Sequence, residues 1–299
     1  MSSLPDEHQD IAEALRLYAL ELQRAAHAAA IAERHEEQAE HPPASMRPFR
    51  QRMATLHRTI EARHRACARL HRLYALRLQK WRATGGGTRR PVFMAAVADQ
   101  LRVRSAAVVL YDDEQRELLT ATSDAVAQTV HELETVIGTG PALDIAAGRD
   151  QVLANDRDFA RLWPELGAAL ADLGVRTVLA VPLRAASRRL GALCLYSRSA
   201  VLTDDAVTGA DRVADVLANT VLLAGSSTDA APGDLSLRGA LFDDADYLTD
   251  VNQAAGVVAV QCCCDPDTAL TLLRARAFAE SVPLPVLSRR VLEEGYRLC

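Results

Sequence analysis

No histidine follows His131, so the 168 residues after it hold no imidazole base and no histidine ligand, which removes most hydrolase triads. His131-Glu132-Leu133-Glu134 lacks the second histidine of a helical zinc motif, and no glycine-rich phosphate loop follows any expected strand. No run of eighteen apolar residues occurs, and the start, MSSLPDEHQD, has no basic stretch ahead of an apolar one. A cytoplasmic protein without a membrane span is therefore expected. Six cysteines, at 67, 194, 262, 263, 264 and 299, show no paired spacing, and they read as reduced thiols. With no acid, base or nucleophile constellation, no enzymatic turnover and no metal site are expected.

What is present is ample material for a core. The 299 residues are 49% hydrophobic and 24% charged, a composition that suits a folded protein of two or three domains. The net charge of −5 hides an asymmetry: residues 47–82 carry eleven Arg or Lys against one acid, Glu61, whereas residues 236–299 carry six Arg against nine acids.

Residues 10–39 place Ile11, Leu15, Tyr18, Leu22, Ala25, Ala29 and Ala32 at alternating steps of four and three, a heptad seam. His41-Pro42-Pro43-Ala44-Ser45 breaks it. A second seam follows in Met53, Leu56, Ile60, Arg63, Cys67, Leu70, Tyr74, Arg77 and Trp81, so residues 1–84 are expected to form a helical hairpin, with a spare stripe at Leu73, Leu76 and Lys80. His57, His64 and His71 recur every seventh residue. They read as a polar stripe flanking the seam, because His64 and His71 stand two turns apart and a metal would need a ligand from another helix. The arginine run reads as a solvated helix face or as a contact for nucleic acid or a partner.

Glycines at 85–87 mark a boundary. Beyond it the pattern predicts a helix at 91–101, strands at 106–111 and 117–123, a polar middle with short helices and a strand at 152–154. A strand pair at 177–183 and 190–196 joined by a turn at 185–189 follows, and then a long helix opened by Thr203, Asp204 and Asp205. An antiparallel sheet flanked by helices is the expected α+β architecture. Ile137-Gly138-Thr139-Gly140-Pro141, the Asp156–Pro164 stretch ending in Leu162-Trp163-Pro164, Leu179-Ala180-Val181-Pro182-Leu183 and Leu190-Gly191-Ala192-Leu193 together resemble a GAF domain, spanning about 88–225. That resemblance implies a sensor or dimerisation module. A small-molecule pocket would draw on Tyr111, Phe159, Trp163, Thr177, Cys194 and Tyr196, which read equally as core residues. His131 is its only imidazole, which argues against haem, and Cys194 sits in mid-strand, which argues against a thioether-linked bilin. No cofactor is named by the sequence.

After a small-residue linker at 225–234, residues 236–299 predict three short helices. The first carries Leu248, Val251, Ala255 and Val258, and the second, opened by Asp265-Pro266, carries Leu270, Leu273 and Ala277. The third, opened by Pro285, carries Leu287, Val291 and Leu298. Cys262, Cys263 and Cys264 diverge by about 100° each around the first helix and cannot converge on one metal. They read as small hydrophobes at its end or as a thiol sensor.

Asn252-Gln253-Ala254, Gly256, Asp267–Ala269, Leu272-Leu273-Arg274 and Leu284 resemble the ANTAR domain in its actinobacterial form. That resemblance implies a dimeric three-helix binder of tandem RNA stem-loops acting in transcription antitermination. Asn252, Gln253, Arg274, Arg276, Arg289 and Arg290 are then the RNA-contacting candidates. The chain departs from the broader family at Ala255 and at Ser281, Val282 and Pro283, positions where others carry polar or basic residues. With an acidic balance in the same module, these departures favour an alternative, a protein-interaction regulator that does not bind RNA. A homodimer is expected on either reading.

Overall fold

The computed structural model describes residues 4–41, 43–85, 90–112, 117–186, 188–225, 246–280, 282 and 284–299. The expected linker beyond residue 225, the turn residues 113–116, and the departures at Ser281 and Pro283 lie outside these. Two long helices come first, α1 (Leu4–Ala39) and α2 (Arg47–Ala83). The Arg47 guanidinium donates to the Ala39 carbonyl, Arg58 pairs with Glu36, and His64 Nδ1 lies 2.6 Å from Glu21 Oε2. Contacts thus run in opposite order along the two helices, as an antiparallel hairpin requires.

The seam of this hairpin is rotated from the expected one. Ile11, Ala25 and Ala32 lie in it, but Leu15, Leu22 and Leu56 are 40%, 41% and 50% exposed. Ala14, Ala28, Ala54 and Ala66 are buried instead. Small residues let two helices approach closely, and the buried Glu21 and Glu61 are held there by Arg24, Arg58, Arg65 and His64. His57 stacks on His35 at 6.0 Å and His71 tilts against Phe93 at 5.5 Å. The C-terminal half of α2, through Leu70, Tyr74 and Leu78, packs on the next domain.

That domain runs α3 (Phe93–Gln100), β1 (Ser105–Tyr111), β2 (Glu117–Thr122), α4 (Ala125–Ile137), α5 (Pro141–Ala146), β3 (Val152–Asn155), α6 (Phe159–Leu162), α7 (Pro164–Asp172), β4 (Thr177–Ala185), β5 (Arg188–Ser197) and α8 (Asp204–Gly225). Its five strands form one antiparallel sheet in the order β2-β1-β5-β4-β3. Every residue of β1 is buried because both faces are covered. Alternation along the strand sends Ala106, Val108 and Leu110 toward α2, α3 and α8, and Ala107, Val109 and Tyr111 toward α4–α7. The β4–β5 turn is tighter than expected: Ala185 still pairs with Arg188, and Ala186 takes a left-handed φ of 53°. Gly191 is required in β5, since a Cβ there would collide with the Val109 carbonyl of the neighbouring strand.

Three further helices, α9 (Asp246–Cys262), α10 (Pro266–Glu280) and α11 (Leu284–Glu293), pack around Val251, Ala254, Val258, Leu273, Ala277, Leu287 and Val291. Asp265 caps α10 as its sequence implies, accepting from Thr268 N–H at 2.8 Å. The face carried by Leu248 falls where side chains are not described. Leu298 lies beyond the end of α11, packed against the same core from the terminal segment. That segment also corrects the reading of the cysteines: Cys262 and Cys299 form a disulfide, while Cys263 is exposed and Cys264 half-buried, so the three are not a buried apolar cluster. The pairing joins the end of the first helix to the last residue, a proximity that only the three-helix packing creates. No described helix is long and apolar enough to cross a membrane.

Candidate functional site

The site is built around α4. Asp124 caps it, accepting from Ala127 N–H at 2.9 Å with Oδ1 and from the Ser105 hydroxyl at 2.7 Å with Oδ2, which ties the helix start to β1. Gly138, at φ 78°, ends the helix in the left-handed conformation that glycine adopts without strain. Two residues on, a Cβ at Gly140 would collide with the Glu134 side chain, so this glycine makes room for a carboxylate. Pro141 then opens α5.

His131 and Glu134, three residues apart on α4, face the same way, and both are buried. His131 Nε2 lies 3.0 Å from Glu117 Oε1 and 3.1 Å from the Thr120 hydroxyl, and that hydroxyl donates to Glu117 at 2.8 Å. Burial alone would lower the imidazole's pKa, but the adjacent Glu117 carboxylate, aided by Glu134, raises it above its usual value. Burial would likewise raise Glu117; His131, with contributions from Arg274 and Thr120, instead holds it at about 2. Glu134 is pushed up to about 7 by burial, against the pull of the Leu143 amide, whose N–H donates to Oε1 at 2.8 Å. The result is an imidazolium–carboxylate pair beside a carboxyl poised to titrate near neutrality.

The C-terminal helices close over this cluster. Arg274 of α10 reaches Glu117 Oε2 at 3.8 Å, with both side chains only 16% exposed. Between the two modules lies a cavity of about 380 Å³, bounded by Val109 and Tyr111 of β1, by Glu117, His131 and Glu134, and by Asn252, Leu270 and Arg274.

The six residues read as a ligand pocket do not all meet there. Tyr111 lines the cavity, its hydroxyl donating to the Ala142 carbonyl at 2.9 Å. Phe159, Trp163, Cys194 and Tyr196 are packed in the core beneath α4–α7, where burial pushes the Cys194 thiol and the Tyr196 phenol well above their usual range. Thr177 is buried and donates to the Ser199 carbonyl at 2.7 Å.

The six RNA candidates are also scattered. Asn252 and Arg274 face the cavity, and Gln253 lines a separate groove on α9. The Arg276 Nε–H donates to the Tyr296 hydroxyl at 2.9 Å and lies 2.7 Å from Glu280. Arg290 lies over the Tyr296 ring at 4.3 Å and bonds Glu280 at 3.0 Å, and Arg289 is exposed on α11. Sequence reasoning missed Glu117, Glu134 and Leu270 as site residues. The available signal was His131-Glu132-Leu133-Glu134 just ahead of the Gly138–Pro141 turn, charged groups on the inner face of an otherwise apolar helix.

The GAF domain family matches residues 91–221. Similar solved structures include a domain of a two-component sensor histidine kinase protein from Sinorhizobium meliloti, at 18% identity over 48% of this chain and 90% of that one. A photoproduct-state GAF domain from Synechocystis aligns at 15% identity over 49% and 93%, and Escherichia coli SdiA at 13% over 67% and 87%. The TM-score is 0.35 in each case. No curated protein matches the chain. Residues 91–221, from just ahead of α3 into α8, thus match the GAF domain family.

Proposed function

We propose that the chain is a signal-responsive regulator in which the GAF domain senses a small molecule, without turning it over, and the C-terminal helices carry the output. The observation that supports this reading is the cavity walled by both modules: whatever changes Glu117, His131 or Glu134 is felt by Arg274 and Asn252. The output we infer is RNA binding of the antitermination type, through α9–α11. Asn252 and Arg274 would then serve as RNA contacts only after the helices leave the GAF domain, which makes the docked arrangement the closed one. Loop bases, unlike those of a duplex, can be splayed out and read by such side chains.

A titration of the full chain with a tandem stem-loop RNA at two salt concentrations tests the output. Phosphate contacts make affinity fall steeply as salt rises, and Arg274→Ala with Arg276→Ala is expected to flatten that slope. Binding no tighter than to an unrelated RNA, unchanged in the double variant, would leave the protein-interaction reading in its place. That second reading draws on one specific feature, the engagement of Arg276 and Arg290 by Glu280, which offsets part of the charge a phosphate would meet.

The chain is further proposed to act as a homodimer. Leu15, Leu22 and Leu56 lie exposed on the hairpin, with Met46 and Phe49 near its tip, an apolar surface suited to a second copy. Sedimentation is expected to give a dimer, weakened on removal of residues 1–84; a monomer at micromolar concentration would contradict this.

A further inference from the structure

The segment that follows α11 runs back to the end of α9. Gly295 turns it, at a left-handed φ of 67°. Gln261 Nε2 then donates to the Tyr296 carbonyl and the Leu298 N–H donates to Gln261 Oε1, both at 3.3 Å, which is long for such bonds. The Cys262–Cys299 disulfide completes the attachment, and Tyr296 and Leu298 rest half-buried on the three-helix core.

That attachment decides what two arginines can do. The Tyr296 hydroxyl donates to Glu280 Oε1 at 2.5 Å and accepts from Arg276 Nε–H at 2.9 Å, while the Arg290 guanidinium lies over the ring at 4.3 Å. One side chain of the segment thus engages both cations and the carboxylate between them. A bonded network with a cation over an aromatic face holds better than its separate pairs. Without Tyr296 the two arginines keep Glu280, in partly exposed pairs. Pairs of that kind are weak and give way to a phosphate.

The disulfide is open to chemistry. Cys299 is exposed and Cys262 half-buried, so an incoming thiolate reaches the Cys299 sulfur. Its attack breaks the S–S bond, forms a mixed disulfide with Cys299 and expels Cys262 as a thiolate, which takes up a proton. The second thiol of a dithiol then displaces Cys299, which is protonated in turn. The protein gains two electrons and two protons, and the dithiol leaves as a disulfide.

We propose that Cys262–Cys299 is a redox site, opened by a dithiol and closed by a disulfide, that latches Tyr296 onto Arg276 and Arg290. Once opened, the segment keeps the two long bonds to Gln261, the Tyr296 N–H bond to the Arg290 carbonyl and the half-buried Leu298. Both arginines then become available to an anion. The proposal rests on the RNA-binding reading for its output and deepens it: the oxidised chain is the weak binder and the reduced chain the strong one.

The test compares the full chain after glutathione disulfide and after dithiothreitol, the Cys262–Cys299 bond being followed by peptide mapping without reduction. Phenylglyoxal labelling read by mass spectrometry reports on Arg276 and Arg290. Their labelling is expected to quicken about fivefold on reduction, the worth of one hydrogen bond. Cys299→Ser is expected to label fast under both conditions, and Tyr296→Ala to label fast even when oxidised. Cys263→Ser, which removes an exposed free thiol, is expected to keep the redox response. Tandem stem-loop RNA is expected to bind the reduced chain about fivefold more tightly. Equal labelling in both redox states, or no Cys262–Cys299 peptide in the oxidised chain, would overturn the latch. A labelling difference without RNA binding in either state would support the latch and overturn the RNA reading alone, so the two failures are separable.

Discussion

Trp163→Ala is expected to cost about 3–5 kcal/mol of unfolding free energy, the range for removing a large aromatic from a packed core. Trp163 is 1% exposed and sits at the junction where α6 ends and α7 begins, ahead of Pro164. Its ring lies 6.1 Å from Phe159, its indole N–H donates to Asp144 at 3.2 Å, and Leu166, Leu170 and Val178 belong to the same cluster. Truncation would leave a cavity between these helices and the sheet and remove one of the donors to Asp144 Oδ2, which Arg149 also approaches at 3.7 Å. Trp163→Phe, which keeps most of the volume but loses the N–H, is expected to cost less, about 1–2 kcal/mol. Urea denaturation followed by circular dichroism measures both. A loss below about 1 kcal/mol for the alanine variant would show that the indole lines a pliable pocket and not a close-packed core.

Glu134→Gln is expected to stabilise the protein, and only above mildly acidic pH. The folded carboxyl titrates at about 7, against 4.5 for the unconstrained group. A group raised in this way contributes stability below the unfolded value, and that contribution disappears as pH rises through the folded value. Between pH 4.5 and 7 the unfolded chain releases this proton while the folded chain retains it, so rising pH favours unfolding. Glutamine cannot ionise, and its carbonyl can still accept from Leu143. At pH 8 the variant should gain on the order of 2–3 kcal/mol over wild type, shrinking to well under 1 kcal/mol at pH 4.5. Thermal melts across pH 4–8 measure the crossing. The sign at Glu117 is opposite: held at about 2, it contributes stability above pH 4.5 that is lost as pH falls toward 2. A flat difference between Glu134→Gln and wild type would mean that the carboxyl is solvated and that its orphan oxygen finds water.

The strands and helices were legible because their apolar residues follow the faces that become covered. β1 is apolar throughout since both its faces are covered, and α9 and α10 show the three-and-four spacing of one buried face. Capping was legible for a local reason: Thr203 and Asp265 act on backbone within a few residues. The hairpin seam was legible only in outline. Heptad counting favours leucines, while the two helices met through alanines and two buried glutamates, Glu61 held by arginines of its own helix and Glu21 by Arg24 and, across the seam, by His64.

The amino-acid sequence by itself determined the order of modules, the sheet and the excess of basic residues on α2, because local propensity and burial pattern are properties of neighbouring residues. Only the tertiary structure decided which charged groups meet. Glu117, His131, Glu134 and Arg274 span more than 150 residues of chain and come from β2, α4 and α10. The pairing of Cys262 with Cys299 is of the same kind. The physical reason is that a charge or a thiol is recognised by what stands within a few ångströms of it, and no spacing along a chain encodes that distance until the helices have packed.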